Sequence, residues 1–169
     1  MSVIACDIPP GSVLDRHTIE SAWFWDSWRA PLSRPQGRVT DIFFAVLGHQ
    51  PPWMKQIIIT RNGIASLFGL DTPTTAEIMH PKIHGSYCVG DKIGPWPIYA
   101  LTDMELVAGR DNKHLDFRLS VLKTGDSVVF STVCTVHNTF GKIYLFCIKP
   151  FHSWGIRKLI SNAVVMQRL

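Results

Sequence analysis

Residues 114–137 read HLDFRLSVLKTGDSVVFSTVCTVH. Two runs rich in β-branched, aromatic and leucine residues flank Thr124-Gly125-Asp126, the pattern of two strands joined by a tight turn. Side chains alternate between the faces of a strand, so His114, Asp116, Arg118 and Ser120 share one face. Leu115, Phe117, Leu119 and Val121 share the other. Two more β-rich runs, residues 97–101 and 104–108, precede this hairpin, and Asp111-Asn112 marks another turn. Strands are therefore predicted at 97–101, 104–108, 114–122 and 127–137, forming an antiparallel meander.

The flanks are of a different kind. Residues 2–8 are β-like and stop at Pro9-Pro10. Residues 18–28 (TIESAWFWDSW) carry an apolar stripe at helical spacing, with Thr18 and Ser21 available as caps, and predict a helix ended by Pro31 and Pro35. A second helix is predicted over 40–48, with Thr40 or Asp41 as N-cap. A third, opened by Pro51-Pro52, is predicted over 53–68, with Gly69 as C-cap. After Asn138 a helical pattern runs to the end of the chain, with a break predicted at Pro150. Positions 156, 159, 160, 163 and 166 form its apolar face. Helices gathered on an antiparallel sheet make a single α+β domain spanning residues 1–169.

Composition agrees with a packed domain. The chain has 169 residues, 46% hydrophobic and 18% charged, which is too apolar and too weakly charged for a disordered chain. The longest apolar runs, 42–47 and 143–148, have six residues each, far short of the ~20 that a membrane span needs. No secretory leader is evident, so a soluble cytoplasmic protein without stable membrane insertion is expected. The four cysteines form no CxxC pair and read as free thiols. The usual dinucleotide, phosphate-loop, zinc-protease and serine-hydrolase motifs are absent. Charge is uneven: residues 1–126 net −1, whereas residues 127–169 net +5 with no acidic residue. That segment lacks the density of cations interleaved with aromatics expected of a nucleic-acid surface. It reads instead as the solvent face of the last helix, able to steer an anionic ligand by its long-range field.

The order of elements, with a terminal helix across a curved sheet, resembles the helix-grip fold of the START, birch-allergen and polyketide-cyclase superfamily. The stretches GRDNKHLDFR (109–118), TVCTVHN (132–138), FGKIY (140–144) and PFH (150–152) are similar to an uncharacterised bacterial domain family. That family occurs alone or fused behind a short-chain-dehydrogenase-type domain. The likeness is close over residues 75–169 and loose before them. It implies a helix-grip-like antiparallel sheet wrapped on a long C-terminal helix, with additional N-terminal helices and a cavity for a small hydrophobic molecule. It implies no reaction.

Several residues have the chemistry for such a cavity. Asp116 could hold Arg118, or fix the tautomer of His114 so that it acts as a general base; the alternative is a solvent-facing stripe. His137 and His152 lie near the sheet-to-helix junction and, with Tyr144, could gather at one end of a cavity, where a base and a phenol would serve enolisation or ring closure. The alternative is that they cap chain ends. His114, Asp116, His137 and His152 are thus the candidate acid–base groups. Trp96, Arg118, Tyr144 and Trp154 are the candidate ligand contacts, Trp96 framing a pocket mouth in Gly94-Pro-Trp-Pro97. His80-Pro-Lys-Ile-His84 with Cys88 has zinc-ligand residue types but no fourth ligand, and reads as a loop. Neither metal nor cofactor is expected. Two functions stand open: binding of a small hydrophobic or aromatic ligand, or a cofactor-independent cyclase or isomerase acting on a polyketide-like substrate. Regulation of a partner protein is a third. The oligomeric state is left open, a homodimer included.

Overall fold

The structure, a computed structural model, describes residues 2–14, 16–67, 69, 72–79 and 83–169. In chain order the elements are β1 (Ile4–Ala5), α1 (Arg16–Glu20), β2 (Phe24–Pro31), α2 (Val39–Leu47), α3 (Pro52–Leu67), α4 (Thr75–Met79), β3 (Lys92–Ile93), β4 (Trp96–Leu101), β5 (Glu105–Asp111), β6 (Leu115–Thr124), β7 (Ser127–Val136) and α5 (Thr139–Val165). The seven strands form one open sheet in the order β1-β2-β7-β6-β5-β4-β3, antiparallel at every pairing. This is an α+β domain with a long C-terminal helix.

The meander follows the sequence pattern. β6 and β7 pair over their full length, from Leu115↔Val136 to Thr124↔Ser127, around a two-residue turn of Gly125 and Asp126. Gly125 has φ +65°, as the first central position of a type II′ turn requires.

Residues 18–28 depart from the expected helix. Helix α1 covers only Arg16–Glu20, and residues from Phe24 onward form β2, paired with β7 from Phe24↔Cys134 to Pro31↔Ser127. Phe24, Asp26, Trp28 and Ala30 alternate with Trp25, Ser27 and Arg29, a period-two pattern that the aromatic stripe concealed. Without β2, β7 would leave a row of unpaired backbone groups at the sheet edge, so the tertiary pairing overrides the local helical periodicity. β1 is correspondingly short and pairs with β2 alone.

Helices α2 and α3 form where expected, but Thr40 and Asp41, the expected N-caps, lie inside the first turn of α2: the helix begins at Val39, and the N-cap position falls on Arg38, whose side chain caps no amide. The unforeseen α4 follows a reciprocal capping box. Thr74 N–H and Oγ1–H donate to Glu77 Oε2 (2.9 and 3.0 Å), and Glu77 N–H donates to Thr74 Oγ1. The expected break at Pro150 does not occur: α5 is one 27-residue helix with Pro150 inside it. The carbonyl that loses its partner belongs to Phe146. Both residues are exposed, so water can satisfy it.

One face of the sheet packs against α2, α3 and α5. Its core joins Leu106, Val121 and Phe130 of the sheet to Phe43, Val46 and Ile160 of the helices. The other face is covered by the N-terminal segment, where Leu14 meets Val107 and Val133. That segment is tied down by Glu105, fully buried, which accepts hydrogen bonds from Ser12 Oγ (2.7 Å), Val13 N (2.6 Å) and Ser120 Oγ.

The start of α5 is set by a close backbone approach. Asn138 caps the helix, its side chain accepting from Gly141 N (3.0 Å) while its Nδ2 donates to the Lys113 carbonyl (3.0 Å). A Cβ on Gly141 would lie 2.2 Å from the His114 carbonyl oxygen. Gly141→Ala should therefore force α5 away from the β5–β6 turn. A stability loss of roughly 1–3 kcal/mol is expected in urea unfolding, and a loss below about 0.5 kcal/mol would contradict the clasp.

Candidate ligand-binding cavity

The helix-facing side of the sheet is not filled completely. Leu115, Phe117 and Leu119 on β6, with Thr132 and Cys134 on β7, form a floor. Met54, Ile57, Ile58 and Arg61 descend from α3 at i, i+3, i+4, i+7 spacing, and Tyr144, Leu145, Ile148 and His152 descend from α5. Between them lies a cavity of about 380 Å³, within the usual range for small-molecule sites. Its surface is mostly apolar. A broader depression of about 610 Å³, beside His49 and the C-terminal end of α5, is more open and has fewer converging side chains.

Aromatic rings shape the narrower of the two cavities. Trp96 stands edge-on to Phe43 (6.0 Å) and Phe117 (5.5 Å). Trp53 and Trp154, whose ring centroids are 5.7 Å apart, are both about half exposed and sit at the rim between α3 and α5.

A polar cluster lies where α5 crosses β2 and β7. Asp26 and Thr132 face each other in the sheet register. Ser153 Oγ donates to Asp26 Oδ2 (2.6 Å). His152 Nε2 is 3.1 Å from Thr132 Oγ1 and 3.8 Å from Asp26 Oδ1, which itself accepts no hydrogen bond. Burial holds the His152 imidazole below its ordinary pKa. The Asp26 carboxylate pulls the other way, and the Arg61 charge adds to the lowering. Burial also pushes the Cys134 thiol up to about 12, with Asp26 adding to that effect and Arg61 opposing it. Burial likewise lowers the Arg61 guanidinium. This end of the cavity therefore presents a neutral imidazole, a neutral thiol and the Arg61 cation, while Lys55, Glu77 and Arg110 line it elsewhere.

Four of the anticipated residues, Trp96, Tyr144, His152 and Trp154, line this cavity. The other four, His114, Asp116, Arg118 and His137, lie outside it. His114 sits in the β5–β6 turn, its ring against Phe140 (4.7 Å) and its Nδ1 3.0 Å from Asn138 Nδ2. Asp116 is bonded to His137 Nε2 (2.9 Å) and to Asn112 N (3.2 Å), not to Arg118. Arg118 instead forms a two-pronged pair with Asp111 and lies over the Tyr99 ring (3.7 Å). The gathering of His137 with His152 and Tyr144 does not occur, because Thr132 and Cys134 put the even-numbered side of β7 toward α5, and His137, just beyond the strand on the other side, pairs with Asp116 there. Of the zinc-type run, His80, Pro81 and Lys82 lie outside the described residues. Among the described residues no three His, Cys, Asp or Glu side chains group as a metal site. Likewise, no helix among them is long and apolar enough to cross a membrane.

Asp26, Arg61, Thr132 and Cys134 do not stand out from sequence. Asp26 lies within the stretch whose spacing predicts a first helix. Arg61 has a visible signal: it is a lone cation on the apolar stripe Met54, Ile58, Ala65.

Fold and cavity together define an α+β domain with an open antiparallel sheet and an apolar pocket beneath its C-terminal helix. The chain belongs to the family described as a protein of unknown function (DUF2867), whose model matches residues 18–159. The match takes in β2 and helices α2 and α3 as well as the meander, more of the chain than the motifs at 109–152 alone cover. Neither a curated protein nor a solved structure matches the chain significantly.

The half-buried imidazole has a consequence for stability. The folded-state pKa of His152 lies below 6.5, so the unfolded chain takes up that proton first as the pH falls. This contribution is present above pH 6.5 and declines below it. Urea midpoints at about pH 7.5 and about pH 5.5 should show a larger acid-side loss in the wild type than in His152→Gln, which keeps a hydrogen-bonding group opposite Thr132. Equal losses would place His152 outside the pH response.

Proposed function

We propose that this protein binds a small hydrophobic or aromatic molecule in the cavity between the sheet and helices α2, α3 and α5. One observation carries this: the pocket is a partly open cleft of about 380 Å³, mostly apolar, and furnished with a few converging polar groups. A core packed only for stability would close such a space, because interiors approach crystal-like density and voids cost free energy. The sheet with α5 laid across it is, on this proposal, a helix-grip arrangement akin to that of the START and polyketide-cyclase proteins.

A second function is favoured by one specific contact. His152, neutral and facing the cavity, is flanked by Asp26 and Thr132, as a general base and its orienting partners are. In a cofactor-independent cyclase or isomerase of a polyketide-like substrate, His152 Nδ1 would take a proton from the substrate while Nε2–H is held toward Thr132 and Asp26, whose carboxylate would stabilise the imidazolium so formed. His114, Asp116 and His137 have no role in that scheme.

The neutral, polarity-sensitive naphthalene dye prodan tests the binding proposal. Saturable one-site binding with blue-shifted emission is expected. Ile58→Trp, which fills the cavity from α3, should weaken it at least about tenfold. Equal binding by the filled variant would locate the dye on the exposed tryptophans at the rim and overturn the proposal.

A further inference from the structure

Resting on that proposal, one of the charged groups lining the cavity narrows the kind of ligand; of the others, Glu77 is paired with Lys92, Arg110 donates to the Pro95 carbonyl, and Lys55 lies nearer the start of α3. Arg61 projects from the middle of α3 into the cavity. Its Nη1 donates to Asn62 Oδ1 (2.7 Å), and its guanidinium carbon lies 5.1 Å from the centre of the Tyr144 ring. No carboxylate among the described residues is paired with it. Asp26, the other charged group of the cluster, is engaged by Ser153 and stands beside His152. Asn62 is itself fixed, donating to the Pro73 carbonyl (3.1 Å), so its side chain holds the guanidinium in place. An arginine has five N–H donors and stays charged at any ordinary pH, and burying such a group without a counter-charge is costly. An anion brought into the cavity would offset that cost.

We infer that the ligand is an amphiphilic carboxylate, whose anionic head pairs with Arg61 over the Tyr144 ring and whose apolar body fills the space between Trp96, Phe117 and Leu119. The planar fork of a guanidinium matches a carboxylate with two parallel hydrogen bonds, which gives orientation as well as affinity. His152 then faces the ligand beyond its head group. This anchoring differs from steering by the positive surface of α5. Steering acts over distances that salt screens, whereas a pair formed inside the cavity is screened far less.

Displacement of prodan by decanoate and by decanol, which share a chain length and differ in head charge, tests the inference. Decanoate should displace the dye at a concentration at least about tenfold lower than decanol, and the preference should persist at high salt. Arg61→Gln should still bind prodan but lose the preference, and Arg61→Lys should retain part of it. Urea unfolding of both variants confirms that they are folded. If decanol displaces prodan as well as decanoate does, the pocket is apolar as proposed and the carboxylate inference fails. A preference that survives Arg61→Gln, or vanishes at high salt, assigns the anion to another cation, Lys55 or Arg110 of the lining or the surface of α5, and overturns it too. If prodan itself does not bind the wild type, the binding proposal fails, and the inference falls with it.

Discussion

The clasp between the β5–β6 turn and the first turn of α5 governs the rest of the structure. Asn138 ties the helix start to Lys113, and Gly141 lets the helix backbone touch the His114 carbonyl. A helix advances about 1.5 Å per residue, so this contact sets the direction of an element whose His152 lies about 20 Å further on. The positions of Tyr144, Leu145, Ile148 and His152 over the sheet follow from where α5 begins. The motif residues 109–118 and 137–141 thus serve the architecture of this corner. Asp111 pairs with Arg118, Asp116 pairs with His137, and Asn112 caps the turn before Leu115.

The basic segment acquires a local explanation from the same geometry. Lys149 lies over the Phe24 ring (5.3 Å) and Arg157 over the Trp28 ring (5.4 Å), both rings on β2. Two of the five cations in that acid-free stretch therefore help hold α5 along β2, by contacts each worth ~0.5–1 kcal/mol at exposed sites. Lys142 and Lys158 remain exposed.

The meander, its two turns, helices α2 and α3 and the terminal helix were legible because periodicity and turn residues report local structure directly. β2 was not. Its identity depends on pairing with β7, far along the chain from Phe24↔Cys134 to Pro31↔Ser127, and its aromatic residues imitate a helical stripe. Asp26 was lost with it. The strand pattern of β6 correctly divided His114, Asp116 and Arg118 from Leu115, Phe117 and Leu119. Alternation says which residues share a face; it does not say which face the helices cover. That choice follows from α5, so the candidate polar groups are Asp26, Arg61, Thr132 and His152 rather than the β6 stripe.

Pro150 gives α5 an uneven stiffness. The helix has no amide to bond the Phe146 carbonyl and must accommodate a ring beside it, and such points are where helices bend most readily. The compliant point falls between Ile148 and His152, directly over the cavity, while the clasp at Gly141 and the packed stretch from Ile156 to Ala163 are firm. Mechanically, α5 is a beam fixed at both ends with its softest section at mid-span. A load from below would be taken up by flexing over the cavity, without loosening either end.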